Sequence, residues 1–249
     1  MHPEYARICR ELRRGQHFHR KVWEWVFIIY HLDRSGMLRR GARGIGFGVG
    51  KEPLSAYFAL RGVNVTATDA PPDLIEQAGW IHTGQYSSSV ETVRHDEICP
   101  YDLLRRYVNH RYCNMKNIDS DLYGFDFNWS ACCFEHLGDL EAGIEFVIES
   151  TERTLRKGGV GVHTTELNLS SNAETVERGA TVLYREQDLR RLVARLEERG
   201  HTVQPLRIDP GQHPIDQHVD VPPYSHNPHL KLELLGFTST SVGIVVTRG

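Results

Sequence analysis

The sequence predicts an α/β protein, with a mostly parallel sheet covered by helices on both faces. Three observations carry this prediction. Strand-like and helix-like segments alternate along the 249 residues, the pattern of a parallel sheet joined by helical crossovers. A glycine-rich stretch, Gly44 to Gly50, closes the first strand-like segment, and open α/β sheets bind ligands beyond the carboxyl ends of their strands. The composition, 40% hydrophobic and 24% charged, is enough to bury an ordinary core.

Residues 1–40 read as helical, and we divide the chain into this N-terminal cap and a main domain over 41–249. In KVWEWVFIIYHLDRSGML, Val22, Trp25, Val26, Ile29 and Leu32 recur at helical spacing. Ile45 to Gly50 reads as a short buried strand entering a glycine turn. A helix follows over Glu52 to Leu60, with Pro53 in its first turn, where proline is tolerated. Val63 to Thr68 is β-branched and alternating, hence a strand, ended by Asp69-Ala70-Pro71-Pro72. TGQYSSS reads as a loop, PYDLLRRYV as a short helix and HRYCNM as a strand end. FDFNWSACCF is aromatic enough for a buried strand. Leu137, Leu140, Ile144, Val147, Ile148, Thr151 and Leu155 trace one helix stripe, closed by Lys157-Gly158-Gly159. Val160 to Thr165 reads as a strand, the Leu189–Leu196 stripe as a helix ended by Gly200, VQPLRI as a strand, and SVGIVVTR as the last strand. Residues from about 209 to 230 form a long loop rich in Pro and His. Such loops in compact domains tend to be functional, and this one is expected to cover the substrate.

The net charge of −3 argues against a nucleic-acid partner, which selects for a basic face. The four arginines between 34 and 43 read as solvated. Five cysteines, none in a CxxC pair, fit a reduced chain better than a disulfide scaffold or structural zinc site. No signal peptide is expected, because the first twenty residues hold five arginines and no apolar stretch. The longest apolar run, VFIIY, is too short to span a bilayer. The expected location is therefore the cytoplasm, without membrane contact; the oligomeric state is not legible.

The glycine stretch excludes two cofactor loops. A Walker loop ending at Gly50-Lys51 needs glycine at Ile45 and a hydroxyl at Glu52. A GxGxxG dinucleotide loop needs glycine at Lys51 or at Val49, depending on register. GxGxG remains, Gly46-Phe47-Gly48-Val49-Gly50, followed by Asp69 at the next strand end. The two acceptor oxygens of an aspartate suit the paired hydroxyls of a ribose.

This combination resembles the class I S-adenosylmethionine (SAM)-dependent methyltransferases. WSACCFEHLGDLEAGIEFVIESTERTLRKGGVGVHTTE is similar to that family's fourth strand, following helix and fifth strand, with FEHL close to its LEHL and LEHV forms. The resemblance implies a Rossmann-like seven-stranded sheet with an antiparallel last strand. It places Gly46, Phe47, Gly48 and Gly50 beneath the methionine part of SAM, and Asp69 with Ala70 at the ribose. It sets Asn114 and Met115 beside the adenine, in place of the family's frequent acid, and Ser130 along the cofactor. Gly44 stands where an acid often holds the methionine ammonium, so that partner is expected elsewhere, in Glu24 or a backbone carbonyl. The resemblance further implies a bacterial small-molecule or glycan methyltransferase. An RNA or protein methyltransferase and a non-catalytic SAM-binding module are the alternatives.

Methyl transfer needs an aligned acceptor and, for an oxygen acceptor, a base. The candidates are His136, His163, Glu166, His218 and His226, since histidine titrates near neutrality. Some similar methyltransferases hold a divalent metal with E-x-x-E-H. Here Glu135 and His136 match, but Cys132 takes the first acid position, so no metal is the favoured expectation. Trp25 is assigned to the core, and Trp23 and Tyr30 to the mouth of the site.

Overall fold

The computed structural model describes residues 2–77 and 84–249. Five parallel strands form its centre: β1 (Arg43–Phe47), β2 (Asn64–Asp69), β3 (Val108–Tyr112), β4 (Phe125–Ala131) and β5 (Leu155–Asn168). Beyond β5 come the two-residue β6 (Thr202–Val203) and β7 (Val219–Asp220), then β8 (Lys231–Leu234) and β9 (Phe237–Thr247). The order across the sheet is β3-β2-β1-β4-β5-β9-β8-β7, with β6 also on β9. β9 runs antiparallel to β5.

The helices are α1 (Pro3–Glu11), α2 (Arg20–Arg34), α3 (Leu54–Leu60), α4 (Pro72–Gln77), α5 (Tyr101–Tyr107), α6 (Leu140–Glu149), α7 (Glu186–Glu198) and the short α8 (Pro214–Gln217). Side-chain alternation along the strands separates two cores. Val22, Val26, Ile29 and Leu32 of α2 join Tyr57 and Phe58 of α3, Leu104 of α5, Phe127 and Trp129 on one face. Ile45 and Phe47 of β1 meet Ile144 and Phe146 of α6 and Leu189 and Leu192 of α7 on the other. Glycine at 44 and 46 follows from this alternation: a Cβ on Gly44 would lie 2.3 Å from the Phe127 ring, and one on Gly46 2.3 Å from Trp129.

Several elements depart from the sequence reading. The sheet holds nine strands, not seven, because the late loop contributes β7 and carries α8, and β8 forms directly after it. VQPLRI is a strand only at Val203: Gln204 N still donates to Val245 O at 2.9 Å, and Pro205 then offers no donor. The helix stripe ending at Leu155 is α6 followed by one wide π-type turn, Ser150–Thr154. Its freed carbonyls are met by Asn128 Nδ2 on Ser150 O at 3.0 Å and by Thr154 Oγ1 on the same oxygen. β5 then begins at Leu155 and continues past Thr165 to Asn168. α4 lies where only a strand end was expected. The TGQYSSS loop begins at Thr83, outside the described residues.

Candidate functional site

A cavity of about 760 Å³ opens at the carboxyl ends of β1 to β4. Gly48, Val49, Gly50, Asp69, Ala70, Asn114, Met115 and His136 line it together. Gly48 and Gly50 adopt φ of +58° and +52°, a region that costs other residues energy. Each also lacks room for a side chain. A Cβ on Gly48 would sit 3.0 Å from Cys133, and one on Gly50 2.4 Å from Gln85 O.

Asp69 is the centre of a small hydrogen-bond array. Oδ2 accepts from Gly50 N at 3.1 Å, Ser87 N at 2.8 Å and Ser87 Oγ at 3.2 Å. Oδ1 accepts from Ala70 N at 2.8 Å. The carboxylate thus clamps the glycine loop to the segment after residue 84, and Oδ1, with one donor, keeps capacity for a hydroxyl. Across the cavity Asn114 Oδ1 accepts from Lys116 N at 3.0 Å, and Met115 Sδ lies 3.9 Å from Cys133 Sγ.

Three expected residues lie elsewhere. Phe47 points away from the cavity into the core, edge-on to Phe146. Gly46 is enclosed by Trp129 and Val49 within β1. Ser130 is fully buried and bonded to His163 Nδ1 at 2.8 Å. His163 itself is a core residue: its ring meets Phe134 and Phe146 edge-on, and burial pushes its pKa down to about 3. Strand alternation explains this, since Val160 and Val162 face α2 and His163 therefore faces α6.

The remaining expected bases separate into different sites. Among the described residues only His136 of that group lines the cavity. Its Nδ1 stands 2.9 Å from Ala180 O and 3.1 Å from Thr181 Oγ1. A carbonyl can only accept, so Nδ1 carries a proton, and Nε2 lies 4.0 Å from the buried Glu135 Oε1. Glu166 is buried, paired with Arg20, and accepts from Ser239 Oγ at 2.9 Å. His218 is exposed beside α8, and His226 belongs to a histidine cluster outside the cavity.

Ligand atoms of Cys132, Glu135 and Glu166 do come within 4.8 Å of one another. Glu135 Oε1 is buried without a hydrogen bond, 4.0 Å from His136 Nε2, while Thr165 Oγ1 donates to Oε2 at 3.0 Å. One feature works against a metal here: Arg20 already neutralises Glu166. In the metal-free chain burial pushes the Cys132 thiol well above its usual range.

The strongest unforeseen residue is Glu52. It lines the cavity, is 9% exposed, and its Oε1 accepts from Trp129 Nε1 at 2.7 Å. Burial pushes its pKa up to about 8. Glu24, the expected ammonium partner, is instead closed off. It accepts from Lys21 Nζ at 2.9 Å and Ser241 Oγ at 2.6 Å, and these partners hold its pKa down. Only the position of Glu52, directly behind the glycine loop, could have signalled its role. Trp25 both packs on the core and lines this cavity, whereas Trp23 and Tyr30 line a second cavity of about 740 Å³ between α2 and the late loop.

No protein-family model and no curated protein matches the chain. Solved structures do. A magnesium protoporphyrin IX methyltransferase from Synechocystis PCC 6803, with S-adenosylhomocysteine bound, shares 11% identity at a TM-score of 0.51, over 89% of this chain and 80% of its own. A SAM-dependent methyltransferase from Clostridium acetobutylicum shares 12% at 0.50, over 99% and 98%. A Galdieria sulphuraria protein, provisionally described as a sarcosine dimethylglycine methyltransferase, shares 16% at 0.50 over 76% of this chain. This chain spans 62% of that protein's length. With the strand order, the antiparallel β9 and the glycine turn at the end of β1, these likenesses identify the fold as that of the class I SAM-dependent methyltransferases.

Proposed function

We propose that the chain is a SAM-dependent methyltransferase acting on a small-molecule or sugar acceptor, at oxygen. One observation carries this reading: the glycine turn, Asp69, Asn114 and Met115 line a single cavity at the strand ends. The residues fit the cofactor. Gly48 and Gly50 let the backbone turn at the cavity wall, where a side chain would meet Cys133 or Gln85 O, and Asp69 Oδ1, with one donor, keeps acceptor capacity for a ribose hydroxyl. Asn114 and Met115 offer an amide and a polarisable thioether to an adenine edge and face.

Glu52 supplies the missing partner for the methionine ammonium. A buried carboxyl with a pKa of about 8 is mostly neutral at pH 7 and ionises when a cation settles beside it. When bound, SAM supplies a methyl group already activated on a sulfonium. The chain's own part is alignment and proton removal. His136, its Nδ1 held by Ala180 O at 2.9 Å, is the cavity-lining imidazole that takes the proton of an acceptor hydroxyl. Small-molecule acceptors are named for two of the neighbours, a protoporphyrin and a sarcosine derivative. The near-neutral charge disfavours RNA as acceptor.

The test is calorimetry with SAM, S-adenosylhomocysteine and NADH. Micromolar binding of both adenosyl ligands and none of NADH is expected. Asp69→Ala should weaken SAM by about tenfold to a hundredfold, the range for a lost charged hydrogen bond. Undiminished binding in that variant would refute the placement of the ribose.

A further inference from the structure

Among the described residues, none of the late loop lines the cofactor cavity. The loop is tied to the start of α2 instead: His229 N donates to Phe18 O at 2.6 Å and Arg20 N donates to His229 O at 2.9 Å. This bridge sets His19 and His229 side by side, ring centres 4.8 Å apart, with His226 5.1 Å from His229. One ring nitrogen from each of the three lies within 4.8 Å of the others.

We propose that His19, His226 and His229 form a zinc site, distinct from the cofactor cavity. Two features, joined through one buried acid, separate this cluster from a chance stack of rings. The first is Asp220, which is 3% exposed and whose Oδ2 receives His229 Nδ1 at 2.6 Å. A carboxylate on Nδ1 fixes the tautomer and leaves the lone pair on Nε2, the usual support of a metal-binding histidine. The second is the backbone of His226, held at φ +63°. That conformation is costly outside glycine and needs local support. Asp220 provides it, accepting from His226 N at 2.9 Å and from Ser225 N at 2.9 Å. One buried acid therefore holds the ring of His229 and the backbone of His226.

Zinc is the ion these donors select. Three neutral imidazoles are a recurrent zinc set, and tetrahedral coordination brings nitrogens to about 3.3 Å apart, within reach of a small ring rotation here. The set leaves a fourth position for water or a ligand oxygen. His19 has a competing task, since its Nδ1 accepts from Lys21 N at 3.1 Å as the cap of α2. Coordination through Nδ1 replaces that cap; coordination through Nε2 moves the ring proton. His19 also directly precedes Arg20, which lines the second cavity, and Lys21, which lines the first. An ion here would therefore sit at the start of the helix that borders both cavities.

The experiment uses the full chain, stripped with EDTA and titrated with Zn²⁺ by calorimetry, with bound metal counted by mass spectrometry. One zinc per chain is expected, along with intense visible bands from Co²⁺ in a tetrahedral site. His226→Ala, an exposed position that leaves the core intact, should weaken zinc at least a hundredfold. Asp220→Asn should weaken it by about tenfold to a hundredfold. His213→Ala, outside the cluster, should bind as the parent does. Less than one zinc in the parent, or equal zinc binding by the parent and His226→Ala, would overturn the site. SAM binding measured on the same samples reports on the methyltransferase reading separately, since neither result depends on the other.

Discussion

Glu52→Gln keeps the oxygen that Trp129 Nε1 needs and removes the ionisable proton. The wild-type carboxyl titrates near pH 4.5 when unfolded and at about 8 in the folded chain. Between those values the native state holds more protons than the unfolded state. Stability is therefore greatest below the lower value and is lost as pH rises through the higher one. Each pH unit in that window is worth about 1.4 kcal/mol. From about pH 5.5 to 7.5, wild type should lose about 2–3 kcal/mol that the glutamine variant does not lose. In a domain of this size that corresponds to roughly 5–10 °C in Tm. The assay is urea unfolding of both proteins at both pH values, read as a difference so that other titrating groups cancel. The same substitution should weaken SAM by about tenfold to a hundredfold, by loss of a charged partner for the ammonium. Parallel pH profiles would refute the buried, proton-holding carboxyl. Unchanged SAM affinity would refute its role at the ammonium.

Two further substitutions separate core from site. His163→Gln should remove an acid-sensitive slope. With a folded pKa of about 3 against 6.5, native His163 stays neutral while the unfolded chain protonates, so stability falls as pH falls below 6.5. From about pH 7 to 5 this costs wild type about 2 kcal/mol, seen as a flatter Tm profile in the variant. Affinity for SAM should be unaltered; a large loss would return His163 to the site. Gly46→Ala drives a methyl group to within 2.3 Å of Trp129 and 2.6 Å of Val49, an overpacking that costs about 1–3 kcal/mol. A drop in SAM affinity at full thermal stability would contradict the assignment of Gly46 to packing.

Local signals carried the sequence reading a long way. The glycine turn, β2 and the Asp69 end were legible because backbone conformation and strand alternation act over a few residues. The stripes of α6 and α7 were legible for the same reason. What failed depends on contacts far along the chain. Phe47, Ser130 and His163 sit at the right sequence distance from the turn but point to the opposite face, which only the packing of α6 decides. Glu52 entered the sequence reading only as the start of a helix and the missing hydroxyl of a Walker loop. Its importance comes from Trp129, 77 residues later. Joining His19 to His229 required the late loop to return to α2, and no periodicity encodes that. VQPLRI has strand-forming residues, but its proline leaves the ladder as soon as β9 is paired.

The outer flank of the sheet is stepped. β9 is eleven residues long, yet its far side meets two residues of β6 at one end and four of β8 at the other, and β8 is followed by the two residues of β7. Among the described residues no long, straight row of unpaired amides and carbonyls is presented there. Such rows recruit strands from other molecules and seed aggregates. Short steps interrupted by Lys231 and Glu233 give a visiting strand too little length to grip. A variant that extended β6 along β9 would join these steps into one rail, and clumping at high concentration is the expected consequence.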